Sequence, residues 1–136
     1  MQSQNRKKVV RDFFDLVSQG RQQEGLSYFT PDCVQHNPYV HGGMKALFDS
    51  MARAQKQAPN YPDPGLAVRS ILADGDMVAV HTELLGSKSK PGEGGLRQVH
   101  LFRFDKNDKI VEYWDVTQVI QPDMPNAANA FQGGQP

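Results

Sequence analysis

The chain has 136 residues, enough for one domain with its own core, and its 15 basic and 15 acidic residues give a formal net charge of zero. This balance predicts neither nucleic acid nor an anionic membrane as a partner. The single cysteine, Cys33, excludes an internal disulfide and a cysteine-rich metal site.

The N-terminal residues MQSQNRKK lead into an amphipathic pattern and not into the apolar core of a signal peptide. No run of about eighteen apolar residues is present, so no membrane span is predicted. The expectation is a soluble, cytoplasmic protein.

Three segments in the first half of the chain have the apolar spacing of helices. The first covers residues 5–19, a short second one covers 22–29, and breaking residues follow at 30–32. The third covers residues 44–57 and is expected to end at Ala58–Pro59. The apolar stripes of these helices predict that they pack on a core.

The stretch VQHNPYVHGG contains two of the four histidines and suggests a metal motif, a turn or the edge of a pocket. A short strand is expected over residues 33–36, with Val34 and His36 sharing an inward face. Asn37–Pro38 then ends the strand, because a residue before proline disfavours helix. His41 is expected in an exposed loop.

After residue 65 the pattern changes to the alternation typical of strands. Four strands are predicted, over residues 66–73, 77–85, 96–104 and 109–120. Hairpin turns are expected at Asp74–Gly75 and Asn107–Asp108. Loops are expected over 60–65 and 86–95, and an irregular or mobile tail begins at Gln121.

Helices followed by antiparallel strands predict an α+β fold with a single domain over residues 1–122 and a tail over 123–136. Four long strands suit a curved sheet. Helices covering its concave face would leave a cavity between the two layers.

The last hairpin has the strongest functional signal. With Asn107–Asp108 as a two-residue turn, His100 faces Asp115 on the same side of the sheet. A four-residue turn would preserve this arrangement, whereas a three-residue turn would separate the two side chains. The pair lies at the open end of an apolar row made of Phe102, Tyr113, Phe104 and Val111.

A carboxylate with apolar neighbours loses hydration, which suits Asp115 to act as a general base. The neighbouring imidazole of His100 can hold the carboxylate or polarise a carbonyl group. A purely structural His–Asp pair is the alternative, since such pairs also occur in protein cores.

His81 shares a predicted half-buried face with Met77 and Ala79, so His36 and His81 are both candidates to point into the cavity. The alternative for each is a hydrogen-bonded core histidine. The separations between successive histidines match no metal-binding motif, and no dinucleotide, phosphate-loop or nucleophile-elbow motif is present. The expectation is a site without metal or cofactor, and a metal-assisted enzyme is a less favoured alternative.

The order of elements, together with VQHNPYVHGG, DGDMVAVH and VHLFRFDKNDKIVEYWDV, resembles the SnoaL-like polyketide cyclase family of the nuclear transport factor 2-like superfamily. The resemblance extends over roughly residues 5 to 122. It implies a cone-shaped α+β barrel, in which the N-terminal helices pack on a curved, mostly antiparallel sheet and enclose a deep pocket.

The resemblance also implies roles for individual residues. Asp115 matches the general acid/base of the characterised cyclases, and His100 matches the residue that binds or polarises their substrate. The QHNP segment would bring His36 and Asn37 to the pocket wall. Members with assigned activity close polyketide rings by intramolecular aldol condensation, without metal or cofactor, but the superfamily also contains isomerases and binding proteins.

The expected function is therefore cofactor-free acid/base chemistry, of an aldol, cyclising or isomerising type, on a hydrophobic carbonyl compound. Asp115 and His100 are the expected catalytic residues. The expected substrate-binding residues are His36, Asn37, His81, Phe102 and Tyr113. A non-catalytic protein that binds a small ligand in the same pocket is the main alternative.

The opposite face of the sheet is also expected to be apolar, because Val99, Leu101 and Trp114 lie away from the pocket. Such a face needs a cover. Since relatives commonly dimerise through this sheet, a homodimer is predicted.

Overall fold

The computed structural model describes residues 2–57, 66–85 and 94–131. Four predicted features lie wholly or mostly outside these ranges. They are the helix stop at Ala58–Pro59, the loop at 60–65, most of the loop at 86–95 and the last five residues of the tail.

Within the described residues the chain forms an α+β fold, as predicted. The elements are α1 (Gln2–Ser18), a 3₁₀ helix (Gln22–Tyr28), β1 (Phe29–Gln35), α2 (Met44–Gln57), β2 (Leu66–Asp74), β3 (Met77–Leu85), β4 (Gly95–Phe104), β5 (Ile110–Ile120) and a second 3₁₀ helix (Ala127–Asn129).

The five strands form one mixed sheet in the order β1-β5-β4-β3-β2. Strands β2 to β5 form an antiparallel meander, and β1 lies parallel to β5. The sheet is not closed, because β1 and β2 are its two edge strands. The predicted cone-shaped arrangement is confirmed, but as an open sheet and not as a complete barrel.

The start of β1 differs from the prediction. Residues 30–32 were expected to end the second helix and to precede a strand over 33–36, but they lie inside β1. Pro31 is tolerated there because β1 is an edge strand and its pairing with β5 is irregular between Phe29 and Val34. The short helix before it is a 3₁₀ helix and ends at Tyr28.

The core lies between the sheet and the two α-helices. Phe13 is its centre, with ring centroids 5.2 to 6.1 Å from those of Phe14, Phe29, Phe48 and Phe102. Full burial of a side chain of this size contributes about 1.5–3 kcal/mol. These aromatic contacts hold α1 and α2 over the inner face of the sheet and so determine where a cavity can form.

Arg6 fastens the start of α1 to the turns of the sheet. Its Nε donates to Asp108 at 2.8 Å, and its other nitrogens donate to the carbonyl oxygens of Gly75 and Asp105. The guanidinium also lies 5.5 Å from the ring centre of Phe104. Since Arg6 is buried, these contacts fix the position of α1 along the sheet.

The tail from Gln121 was expected to be irregular or mobile. Up to Phe131 it contains one 3₁₀ turn and buries the side chains of Ala127 and Phe131. The carbonyl oxygen of Ala130 accepts a hydrogen bond of 2.7 Å from Arg97 on β4. This part of the tail is therefore attached to the domain. Among the described residues, no helix is long and apolar enough to cross a membrane.

Candidate active site

His100 and Asp115 face each other across β4 and β5, as predicted from the sequence. The turn between the strands differs from the prediction. It spans residues 105–109, and the Asp105 carboxylate accepts hydrogen bonds from the backbone N–H groups of Asn107 and Lys109, at 2.8 and 3.0 Å.

The pairing near this turn also differs from the prediction. Phe104 pairs with Ile110 and Arg103 pairs with Glu112, so Val111 is an extra, bulged residue. Ile110, which is fully buried, therefore takes the position in the apolar row that was expected for Val111.

His100 and Asp115 are linked through Tyr113 and not by a direct hydrogen bond. His100 Nδ1 lies 2.8 Å from the Tyr113 hydroxyl oxygen, which is 3.4 Å from Asp115 Oδ2. On the other side of the ring, His100 Nε2 lies 2.9 Å from Thr82 Oγ1 on β3. Both ring nitrogens of His100 are therefore occupied by protein groups.

The surroundings keep His100 and Tyr113 uncharged. Burial lowers the pKa of His100 from 6.5 to about 3, and the Phe14 ring packs 4.8 Å from the imidazole. Burial, with the nearby Asp115 carboxylate as a smaller cause, raises the pKa of Tyr113 well above 10. The imidazole is therefore neutral, and the phenol keeps its proton at ordinary pH.

The side chain of Asn37, for which the resemblance implied a place at the pocket wall, lies against Asp115. Its Nδ2 donates to both carboxylate oxygens, at 3.2 and 3.0 Å. Its Oδ1 accepts a hydrogen bond of 2.8 Å from the Tyr39 N–H group. These contacts hold the amide of Asn37 with its donor end on the carboxylate.

Gln35 builds the loop that carries Asn37, and the sequence did not identify it. The buried Gln35 side chain accepts from the Asn37 N–H group at 2.7 Å and donates to the carbonyl oxygens of Val40 and Gly42 at 2.8 and 2.9 Å. Thr82, the partner of His100, was also missed. The sequence offered no signal for either residue, because each lies on the strand face that was predicted to point outward.

The predicted orientation of His36 was wrong. Along β1 the inward residues are Cys33 and Gln35, whereas Val34 is 53% exposed. His36 therefore points to the outer face of the sheet. There its ring stacks on Trp114 at 4.7 Å, and its Nε2 lies 2.7 Å from Glu112.

His81 also lies on the outer face, because its neighbours Val80 and Thr82 occupy the inward positions of β3. The shared face with Met77 and Ala79 is thus the outer one. The His81 ring lies 3.9 Å from Glu83, a residue of the same face. The expectation that His81 reaches the pocket was wrong.

A cavity of about 280 Å³ lies between the helices and the inner face of the sheet. Its lining is mostly apolar, with His100, Tyr113 and Asp115 among its polar groups. The lining residues are Phe13, Phe14, Val17, Ser18, Phe48, Met51, Ala54, Gln55, Leu66, Leu84, Leu96, Gln98, His100, Tyr113 and Asp115. Phe102 is fully buried behind the lining residues and does not line the cavity. Its ring centroid lies 5.1 Å from that of Tyr113.

His41 is exposed in the loop before α2, as expected. In the part of the chain that the structure describes, no three histidine, cysteine, aspartate or glutamate side chains are grouped closely enough to hold a metal ion. Cys33 is buried, and this burial raises the pKa of its thiol to about 12. A thiol in that state is a poor nucleophile.

Comparison with known proteins agrees with this architecture. The model of the SnoaL-like domain matches residues 10–113. No curated protein sequence matches the chain significantly.

Solved structures with the same fold include AclR from Streptomyces galilaeus, with 22% identity over 85% of this chain and 90% of AclR, at a TM-score of 0.67. The epoxide hydrolase/cyclase-like enzyme SalBIII has a role in pyran ring formation in the polyether salinomycin. It is 22% identical over 87% of this chain and 95% of its own, at a TM-score of 0.60. A steroid delta-isomerase from Pseudomonas aeruginosa is 18% identical over 84% and 80% of the two chains, at a TM-score of 0.58.

At these identities the structural matches establish the fold alone, whereas the domain match extends over most of the chain. The chain belongs to the family of the SnoaL-like domain.

Proposed function

We propose that the protein is a cofactor-free enzyme that uses general acid/base chemistry on a hydrophobic carbonyl compound. The observation that carries the proposal is the Asp115 carboxylate, which lines an apolar cavity of about 280 Å³ and is oriented by Asn37. The protein's own side chains supply a proton acceptor and neutral hydrogen-bond donors, so the proposed step needs no further group.

In the proposed reaction, Asp115 removes a proton from a carbon next to a carbonyl group and later returns it to the product. The apolar walls from α1 and α2 bind the hydrophobic part of the substrate and exclude water, which strengthens the polar interactions at the reacting end. A positioned general base contributes about 10²- to 10⁴-fold to the rate of such a step.

The expected substrate-binding set becomes smaller in this proposal. Tyr113 stays, because it lines the cavity, whereas Asn37 is not among the lining residues and instead orients the base. Phe102 supports the wall from behind. His36 and His81 are left out, because they lie on the outer face.

The relatives support this class of reaction. SalBIII is described as an epoxide hydrolase/cyclase-like enzyme, and another neighbour as a steroid delta-isomerase. Ring closure, or isomerisation through an enol, are therefore the two outcomes we propose for the substrate after proton removal.

The test is proton exchange at the activated carbon of a hydrophobic β-keto ester in deuterated water, followed by NMR. We expect the wild type to accelerate exchange and Asp115→Asn to lose about 100-fold or more of that acceleration. Asp123→Asn, which changes an exposed carboxylate of the tail, is the matched control. Equal rates for wild type and Asp115→Asn would remove Asp115 as the base.

A non-catalytic ligand-binding protein is the second candidate. It is favoured by one observation, namely that both nitrogens of His100 are already bonded within the protein. Stoichiometric binding of the β-keto ester, with the ligand recovered unchanged and undeuterated, would support this candidate.

Two predictions from the sequence stay predictions. One is the homodimer through the outer sheet face, where Val99 and Val116 are exposed. The other is the cytoplasmic location. A monomeric mass at micromolar concentration would contradict the first of them.

A further inference from the structure

The neutral His100 ring carries one N–H group, and two tautomers fit its contacts. With the proton on Nδ1, the ring donates to the Tyr113 oxygen and its Nε2 accepts from the Thr82 hydroxyl. With the proton on Nε2, both directions are reversed. In the first tautomer the proton of the Tyr113 hydroxyl points toward the Asp115 carboxylate or into the cavity.

Either tautomer leaves His100 without a hydrogen for a ligand. Its single N–H group is used on Tyr113 or on Thr82, and its other nitrogen accepts from the remaining one of these two hydroxyls. His100 therefore has no free N–H group with which to polarise a carbonyl group directly, as was expected from the sequence.

The Tyr113 hydroxyl, in contrast, makes only a long and therefore weak hydrogen bond to Asp115. Its oxygen is 3.4 Å from Asp115 Oδ2, whereas a hydrogen bond from a hydroxyl to a carboxylate is usually about 2.5–2.7 Å long. With the His100 proton on Nδ1, the hydroxyl accepts from His100 at 2.8 Å, which polarises it as a donor. Both Tyr113 and Asp115 line the cavity.

We propose that His100 carries its proton on Nδ1, that Tyr113 is the hydrogen-bond donor to the substrate oxygen, and that His100 is a positioning residue that acts through Tyr113. This inference rests on the proposed function and names the substrate class more closely. The site takes an apolar molecule with an enolisable carbonyl group, whose oxygen lies at Tyr113 while the neighbouring C–H group lies at Asp115.

The step balances without a further reactant. Asp115 takes the proton, the electron pair of the C–H bond forms the new carbon–carbon π bond, and the carbonyl π pair moves onto oxygen. The Tyr113 O–H group donates a hydrogen bond to that oxygen as its negative charge develops and keeps its own proton. Burial supports this role, because it raises the pKa of Tyr113 and so keeps the phenol protonated.

The inference is tested by the binding of 4-nitrophenol, whose coloured phenolate imitates the enolate and needs no turnover. The background is Asp115→Asn, which removes the charge that would repel a phenolate. We expect this variant to bind the phenolate, and the double variant Asp115→Asn/Tyr113→Phe to bind it roughly ten- to hundredfold more weakly. Nitrobenzene, which lacks the oxygen anion, should bind both variants equally.

Tyr28→Phe in the same background is the matched control, because it removes a phenol hydroxyl outside the cavity lining. It should leave phenolate affinity unchanged. Equal phenolate affinity with and without the Tyr113 hydroxyl would overturn the inference.

A second measurement keeps the test independent of whether the phenylalanine variant folds. Replacing the tyrosines of Asp115→Asn by 3-fluorotyrosine retains every hydroxyl and makes it more acidic. We expect tighter phenolate binding and a ¹⁹F shift of the Tyr113 signal on binding, and an unchanged affinity and signal would refute the donor role. Because no turnover is measured, a failure here is distinct from a failure of Asp115 as the base.

Discussion

The response of the fold to acid should depend strongly on His100. The pKa of this residue is about 3 in the folded protein and 6.5 as an ordinary value, because burial disfavours the imidazolium. Below pH 6.5 the imidazole of His100 therefore binds a proton in the unfolded chain but not in the folded protein. The contribution of His100 to the free energy of unfolding is fully present above pH 6.5 and is lost progressively as the pH falls toward 3.

The magnitude follows from the size of the shift. Each pH unit between the two pKa values costs about 1.36 kcal/mol, so His100 alone should remove about 2 kcal/mol between pH 6.5 and 4.5. The pKa values of Glu112 and Asp108 are held below 4.5 and 3.8, Glu112 chiefly by its hydrogen bond to His36 and Asp108 chiefly by its hydrogen bond to Asn5. Their contributions are lost only at lower pH, so the window above 4.5 reports on histidine.

The assay is urea unfolding at pH 7.0, 6.0, 5.0 and 4.5 for the wild type and His100→Gln. The variant should be less stable at pH 7, by roughly 1–3 kcal/mol, because Thr82 and Tyr113 lose a partner. Its dependence on pH should nevertheless be shallower than that of the wild type. His41→Gln is the control, since the ring of His41 is exposed in the folded protein as well. Parallel pH profiles for wild type and His100→Gln would refute the reasoning.

Two further predictions concern the supports of the site. Gln35→Met should cost roughly 3 kcal/mol in urea unfolding, about 1 kcal/mol for each of its three lost hydrogen bonds, whereas Gln118→Met on the exposed face should change stability little. Gly94→Ala should cost more than Gly75→Ala, which is expected to lose about 1–2 kcal/mol from backbone strain alone. A Cβ atom at Gly94 would lie 2.5 Å from the Ile120 carbonyl oxygen, whereas one at Gly75 would meet nothing within 4 Å. Equal thermal shifts for the two alanine variants would contradict the difference.

Much of the fold could be predicted from the sequence where a regular period is bounded by glycine or proline. The predicted bounds of α2 and β3, residues 44–57 and 77–85, are the observed ones. In β3 the residues that reach the core, Val78 and Val80, lie on the face opposite to the one predicted, whereas in α2 the apolar residues that carry the period, such as Leu47 and Phe48, are the buried ones. Local pattern and tertiary packing therefore require the same structure there.

The orientation of β1 could not be predicted in this way. Its inward Gln35 and outward Val34 reverse the usual order of polar and apolar positions. Gln35 lies inside because it binds the 37–42 loop through three hydrogen bonds, and those partners are set by the fold and not by strand periodicity. With the parity reversed, His36 lies beside Trp114, and Asn37 remains the residue that reaches Asp115.

From the pair Arg103–Glu112 onward, the register of the last hairpin was predicted correctly from an incorrect turn, and the reason shows what the site depends on. A five-residue turn over 105–109 followed by regular pairing would place His100 opposite Trp114 and turn Asp115 to the outer face. The bulge at Val111 adds one residue to β5 and restores the pairing of His100 with Asp115. The five-residue turn shifts the pairing by one residue, and the bulge shifts it back. Tyr113 and Asp115 therefore point to the inner face only because both features are present. Any substitution that removes the bulge would therefore exchange the inner and outer faces of β5 beyond it, and the cavity would lose both its proposed base and its proposed donor.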